Sequence, residues 1–185
     1  MRLIVGLGNP GKEYSETRHN IGFKMLDVMT EHLNLDYKTK NGGLYAETNI
    51  KGEKVIFLKP QKYINLSGQV VRKYVDFYKI NLDDIFIIHD DLDLEIGKYK
   101  LKPFGSSAGH NGLKDIERCL STEVYKRMKI GISNNKNMDT GDYVLSKINE
   151  EDIKQIDEVF KLGPELLNDY LELSFDNLMN KYNKR

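Results

Sequence analysis

The chain has a single cysteine, Cys119, which excludes an internal disulfide and any paired-cysteine metal site. No apolar run approaches the ~18 residues that a membrane-spanning helix requires. Met1-Arg2 leads straight into Leu3-Ile4-Val5-Gly6, too short for the apolar stretch of a secretory signal, and no small-residue cleavage site follows. Internal repeats and low-complexity linkers are absent. So is net charge, with 28 basic against 28 acidic side chains. These absences predict a cytoplasmic protein without membrane contact, forming one domain over residues 1–185. At that length a domain buries about two thirds of its unfolded surface and needs no metal or disulfide to hold it. What is present is ordinary for a globular chain: 39% hydrophobic and 30% charged residues, which excludes collagen, a coiled coil and a disordered acidic tail.

The neutral total hides an uneven distribution. Residues 1–95 carry 13 basic and 14 acidic side chains, residues 96–136 carry 9 and 3, and residues 137–185 carry 6 and 11. The middle is therefore at +6 and the end at −5, and local potential is what an anionic ligand meets.

Apolar periodicity predicts the elements. Arg2–Leu7 reads as a buried strand, Gly8 to Arg18 as a loop, and Asn20 to Leu33 as a helix. Leu44–Ile50 and Lys54–Lys59 flank Lys51-Gly52-Glu53 and form a hairpin. Asn65 to Tyr78 is helical, Ile85–His89 a central strand, Gly97–Lys102 an alternating strand, Gly109–Leu120 a helix and Arg127–Ile132 a strand. From Glu150 a C-terminal helical segment runs to about residue 182, broken at Gly163-Pro164, with Ser174 capping a last short helix. Strands alternating with helices predict an α/β fold of three layers, with helices on both faces of a mixed, mostly parallel sheet. Ligands in such folds bind beyond the carboxyl ends of the strands, so polar clusters there are the candidates for function.

Four clusters qualify. Gly6-Leu7-Gly8-Asn9-Pro10-Gly11 matches the dinucleotide fingerprint after a strand, but the helix does not start inside the motif and no ribose-binding acid follows at the required distance. The glycines then serve a sharp turn and a close backbone approach. Thr17-Arg18-His19-Asn20 places a histidine at the mouth of a helix, where it is a base only if a carboxylate reaches it. Asp90, in His89-Asp90-Asp91-Leu92-Asp93 after a buried strand, supplies that carboxylate if the two strands are neighbours. An aspartate on one imidazole nitrogen fixes the tautomer and frees the other nitrogen as a base. A metal at this cluster is disfavoured, because no second histidine accompanies the carboxylates. Pro60 to Gly68 contains Asn65, and Gly105 to Gly112 contains His110 and Asn111; each asparagine could be a helix cap instead. Three asparagines, Asn9, Asn65 and Asn111, at three strand ends are suited to reading a peptide-like group without titrating.

In order, these blocks resemble the bacterial-type peptidyl-tRNA hydrolases. The segments are VGLGNPGKEYSETRHNIG, KPQKYINLSG, HDDLDLEIGKYKLK, GHNGLKDI and RMKIGI, spanning roughly residues 3 to 132. The resemblance implies a phosphorylase/hydrolase-like fold. It also implies hydrolysis of the ester between a peptide and the 3′ end of tRNA, which recycles tRNA from stalled translation. It makes His19 the general base, Asp90 its orienting carboxylate and Asn9 the residue that separates N-blocked from free aminoacyl groups. Asn65, Asn111 and His110 would hold substrate and water, and Tyr14 and Tyr63 the tRNA end. The partner implied is peptidyl-tRNA, with no DNA, no metal or other cofactor, and a monomeric chain. Ile64, Lys129 and Ser106-Ser107 depart from the family's usual methionine, arginine and glycines. A rival reading, an RNA-binding protein that has lost catalysis, would be expected to lack His19 or Asp90, and both are present.

An ester needs a base and polarising donors, with no covalent nucleophile. How a neutral chain holds a polyanion is answered by the basic middle. Lys98, Lys100 and Lys102 share one face of a strand, and Arg127 and Lys129 share one face of another. Lys100, Lys102, Arg127 and Lys129 are thus the expected phosphate contacts, with Lys114 and Arg118 on the helix between.

Overall fold

The structure, a computed structural model, describes residues 1–183. Seven strands form one sheet: β1 (Arg2–Gly6), β2 (Lys38–Lys40), β3 (Gly43–Ile50), β4 (Glu53–Pro60), β5 (Ile85–Asp91), β6 (Tyr99–Lys102) and β7 (Lys126–Gly131), in the order β2-β3-β4-β1-β5-β7-β6. The helices are α1 (Ile21–His32), α2 (Ser67–Tyr78), α3 (Asn111–Leu120), α4 (Thr140–Val144), α5 (Glu150–Phe160), α6 (Gly163–Glu172) and α7 (Phe175–Tyr182). The four central strands β4-β1-β5-β7 are parallel, while β2, β3 and β6 join by antiparallel pairing.

Period-2 alternation splits the core in two. Ile4, Phe57, Phe86, Ile88, Met128 and Ile130 pack one face against α1, α5, α6 and α7. Leu3, Val5, Ile56, Leu58, Ile85 and Ile87 pack the other against α2 and α3. The strands are apolar on both sides because both faces are covered. The predicted strand Gly97–Lys102 shortens to β6, whose Leu101 is buried while Lys100 is exposed.

Two features were missed by periodicity. Strand β2 is Lys-Thr-Lys and carries no apolar signal, but Asn41-Gly42 behind it has φ of 49° and 80°, a two-residue turn with both φ positive. Asn-Gly is the strongest local signal for such a hairpin turn. The second is α4, five residues long and capped by Asp139, whose side chain accepts from the Asp142 N–H. The expected break at Gly163-Pro164 is the junction of α5 and α6, with proline in the first turn of α6. Ser174 caps α7 as predicted.

The glycine fingerprint is a packing device. A β-carbon on Gly6 would strike the Gly22 carbonyl, and one on Gly22 would strike the Leu7 amide and the Ile88 carbonyl. The first turn of α1 therefore lies directly on the ends of β1 and β5. This seats the short 3-10 turn Arg18–Asn20, which precedes α1, over the carboxyl edge of the sheet.

Candidate active site

His19 leaves that turn toward Asp90 at the end of β5, the strand beside β1. Its Nδ1 lies 3.0 and 2.9 Å from the two carboxylate oxygens. Both residues are buried. The same carboxylate also receives His110, whose Nε2 is 2.9 Å from Asp90 Oδ1. The rings of His19 and His110 are 4.9 Å apart between centroids, and His89 stands edge-on to His110 at 5.2 Å.

The hydrogen bonds around His110 fix its tautomer. His110 is the N-cap of α3, and its Nδ1 accepts from the backbone N–H groups of Gly112 at 3.1 Å and Leu113 at 3.3 Å. A backbone N–H can only donate, so Nδ1 carries the lone pair and Nε2 carries the proton donated to Asp90. The cap of α3 is thus His110, which sets aside the alternative of Asn111 as a cap. One expectation is corrected: His110 spends both ring nitrogens inside the protein, leaving none for a substrate or tRNA contact. Asn65 does not cap α2 either; it lies exposed in the 3-10 turn Ile64–Leu66.

Electrostatics follow from this packing. Burial alone would raise the pKa of Asp90, but the two imidazoles outweigh it and hold the carboxyl far below the usual range. Burial disfavours the His19 imidazolium, yet the Asp90 charge and hydrogen bond prevail and raise its pKa. His89 does not reach the carboxylate oxygens, and burial, with His110 adding to it, pushes its pKa down to about 3 against the pull of Asp90. It donates from Nδ1 to the Asp90 carbonyl at 2.7 Å.

His19, Asp90 and His110 bring their ligand atoms within 4.8 Å of one another, the spacing of a metal site. A second histidine does reach the carboxylate, contrary to the ground on which a metal was disfavoured. The capped tautomer gives a better reason: a metal at His110 Nε2 needs a lone pair where the α3 amides enforce a proton. The cluster is built to pass hydrogen bonds.

Beside the triad lies a cavity of about 440 Å³, lined by His19, Asp90, His110, Leu92, Lys129 and Val144 among others. Asn111 borders it and also shares a groove of about 350 Å³ with Asn65, Lys114, Asp115 and Arg118. Asn9 is buried and tied reciprocally to Asn20: its N–H donates to Asn20 Oδ1, and Asn20 Nδ2 donates to its carbonyl, both at 2.9 Å. Its Oδ1 accepts from the Ile64 N–H at 2.6 Å, so the group Asn9 has left to offer is the Nδ2 donor. Tyr14 and Tyr63 meet edge to face at 6.3 Å, and Tyr63 is 60% exposed. Ser67 Oγ donates to the Ile64 carbonyl at 2.7 Å, a structural role.

The basic set divides. Lys100 is exposed on edge strand β6 and pairs in register with Lys129, as Lys102 does with Arg127. Lys129 lines the cavity with its Nζ 3.3 Å from Asp91 Oδ2. Arg127 is a correction: it is wholly buried, with Nη1 on the Ser106 carbonyl at 3.2 Å, Nη2 on the Glu123 carbonyl at 2.9 Å, and the Tyr125 ring 4.2 Å away. Alternation did place Arg127 and Lys129 on one face, but at 127 that face is covered and the side chain meets no solvent.

Relatives agree with the geometry. The sequence profile of the family described as Peptidyl-tRNA hydrolase matches residues 3–185. Peptidyl-tRNA hydrolase of Desulfitobacterium hafniense (strain Y51) is 44% identical over 100% of both chains. That of Clostridium novyi (strain NT) is 42% identical over 99% of this chain and 98% of its own. The crystal structure of peptidyl-tRNA hydrolase from Acinetobacter baumannii aligns with a TM-score of 0.93 and 34% identity, over 99% of this chain and 94% of that one. Matched almost end to end by sequence and by fold, the chain belongs to the peptidyl-tRNA hydrolase family.

Proposed function

We propose that the chain hydrolyses the ester linking a peptide, or an N-blocked aminoacyl group, to the 3′ end of tRNA, with His19 as the general base. The observation that carries this is the buried His19–Asp90 pair at the cavity edge. With Nδ1–H donated to Asp90, His19 keeps Nε2 for a water proton. Water attacks the ester carbonyl as its proton passes to Nε2, and Asp90 stabilises the imidazolium that forms. Collapse of the tetrahedral intermediate returns that proton to the leaving 3′ oxygen. Water itself is the nucleophile, so neither Ser67 nor Cys119 is called on.

Asn9 selects the substrate. Its free Nδ2 donates to a carbonyl, which an N-acyl group has and a free ammonium lacks, and two donors facing each other repel. Asn65 and Asn111 hold the peptide backbone and water from their shared groove. Tyr14 and Tyr63 give the tRNA end an aromatic face, and Lys100, Lys102 and Lys129 meet its phosphates. The chain acts as a monomeric single domain over residues 1–185, in the cytoplasm. The test is release of free tRNA from N-acetyl-aminoacyl-tRNA by metal-free protein, with His19→Ala slower by about 10²–10⁴-fold or more while tRNA binding stays near normal. Near wild-type turnover by that variant removes His19 from the mechanism.

A further inference from the structure

We propose that Arg18 is a positioning residue for this reaction, clamping the outer wall of the cavity to the turn that carries the base; the proposal rests on the reading of that cavity as the substrate site. Arg18 belongs to the Thr17-Arg18-His19-Asn20 motif, yet its charge is needed nowhere in the chemistry, and it is buried away from the cavity. Its guanidinium serves a segment 128 residues away. Nη1 donates to Ser146 Oγ and to the Lys147 carbonyl, both at 2.6 Å, and Nη2 lies 3.4 Å from Asp152 Oδ2. Its Cζ lies over the Tyr143 ring, 4.6 Å from the ring centre.

The backbone repeats the connection. The Arg18 N–H donates to the Ser146 carbonyl and the Ile148 N–H to the Glu16 carbonyl, each at 3.1 Å, and Thr17 bridges Lys147. The far side of the clamp is itself fixed. Ser146 Oγ donates to the Tyr143 carbonyl, and Asp152 accepts from Asn149 Nδ2 at 3.0 Å at the start of α5. One residue before Ser146, α4 ends at Val144, and its Thr140, Gly141 and Val144 line the cavity that His19 and Asp90 also line.

Residues 18 and 19 are consecutive in a 3-10 turn, so their side chains leave about 120° apart. One reaches the wall and the other reaches Asp90. A planar fork satisfies several acceptors of one segment at once, which a lysine ammonium on a flexible stem does not. His19 is held against Asp90 independently, through the carboxylate that His110 anchors. Loosening the clamp should therefore displace the wall and leave the base in place.

The experiment is steady-state hydrolysis of N-acetyl-aminoacyl-tRNA by Arg18→Gln, Arg18→Lys and Ser146→Ala, with pH profiles. Loss of charged hydrogen bonds should raise KM about tenfold in Arg18→Gln, with a much smaller change in kcat and an unmoved pH profile. Arg18→Lys should fall between wild type and Arg18→Gln. Ser146→Ala, which removes one partner far from the base, should move KM the same way by less, and it carries the test alone if Arg18→Gln does not fold. An unchanged KM in Ser146→Ala and in every folded Arg18 variant overturns the proposal, as does a loss confined to kcat with a shifted profile. His19→Ala is run in parallel; turnover surviving there overturns the base assignment, while the KM response to the clamp still decides the role of Arg18.

Discussion

Replacing Asp90 by asparagine keeps the side-chain volume and removes the charge, and the surroundings dictate how the new amide turns. His110 can present only an N–H from Nε2, because the Gly112 and Leu113 amides occupy its Nδ1. The amide oxygen is drawn to that donor, and the NH₂ group faces Nδ1 of His19, which now lies 2.9 Å from the nearer carboxylate oxygen. Where it accepts there, His19 carries its proton on Nε2, the nitrogen that has to be empty to take one from water; the amide oxygen, at a position 3.0 Å from Nδ1, keeps the productive tautomer in competition. The lost charge adds to this. Charge centres about 4 Å apart interact by about 4 kcal/mol at an effective dielectric near 20. Each ~1.4 kcal/mol is a factor of ten in rate, so kcat for N-acetyl-aminoacyl-tRNA should fall by about 10³-fold or more. The pH profile should move as well. Asp90 raises the pKa of His19 against burial, and the rate rises with pH as His19 loses its proton. Without the carboxylate that limb shifts to lower pH. A second substitution isolates the tautomer effect: in the Asp90→Asn background, His110→Asn keeps a competent helix cap but removes the competing imidazole donor. The amide can then turn its oxygen to His19, and the double variant should be faster than Asp90→Asn alone. Release of free tRNA measured across the range where imidazole titrates checks all three outcomes. An unmoved limb, an undiminished plateau, or a double variant slower than the single one refutes the reasoning.

Asn9→Ala should narrow the kcat/KM ratio between N-acetylated and free aminoacyl-tRNA, and Asn9→Asp should narrow it further by attracting the ammonium; an unchanged ratio places the discrimination elsewhere. Lys100→Glu/Lys102→Glu should raise KM for full-length peptidyl-tRNA and flatten its salt dependence, since fewer counterions are released. A minimal substrate lacking the tRNA body should be little affected, and equal damage to both substrates would tie these lysines to the active site or the fold. Acid stability should depend on His89, whose folded pKa of about 3 lies below the unfolded value of about 6.5. Its contribution is complete above the unfolded value and is lost as pH falls toward 3, so urea unfolding of His89→Leu should weaken less from neutral to acid pH than wild type; parallel curves would exclude it.

The fold was legible wherever burial imposed a period. Ile85–His89 and Arg2–Leu7 announced themselves because strands covered on both faces are apolar throughout, and Asn20 to Leu33 because one helical stripe is buried. Where packing gives no stripe, composition was silent: Lys38–Lys40 pairs only with β3, and Thr140–Val144 is a single capped turn and a half. Arg127 shows the opposite failure. The period was right and the environment wrong, because alternation assigns a face without saying whether a helix covers it.

At the site, His19 and Asp90 could be paired from sequence because each follows a buried strand, and neighbouring parallel strands deliver their ends to one edge. The partner of that pair could not. His110 stands 20 residues beyond Asp90, in a loop of small residues where a histidine beside an asparagine reads as one more contact residue. Its part follows from a cap, and the cap from the start of α3. That local hydrogen-bond pattern then governs the chemistry. A carboxylate between two imidazoles could in principle take a proton toward either one. Because Nδ1 of His110 is taken by the α3 amides and its Nε2–H by Asp90, the ring on that carboxylate that keeps a nitrogen for the cavity is His19. The helix cap thus gives a near-symmetric cluster a single working direction.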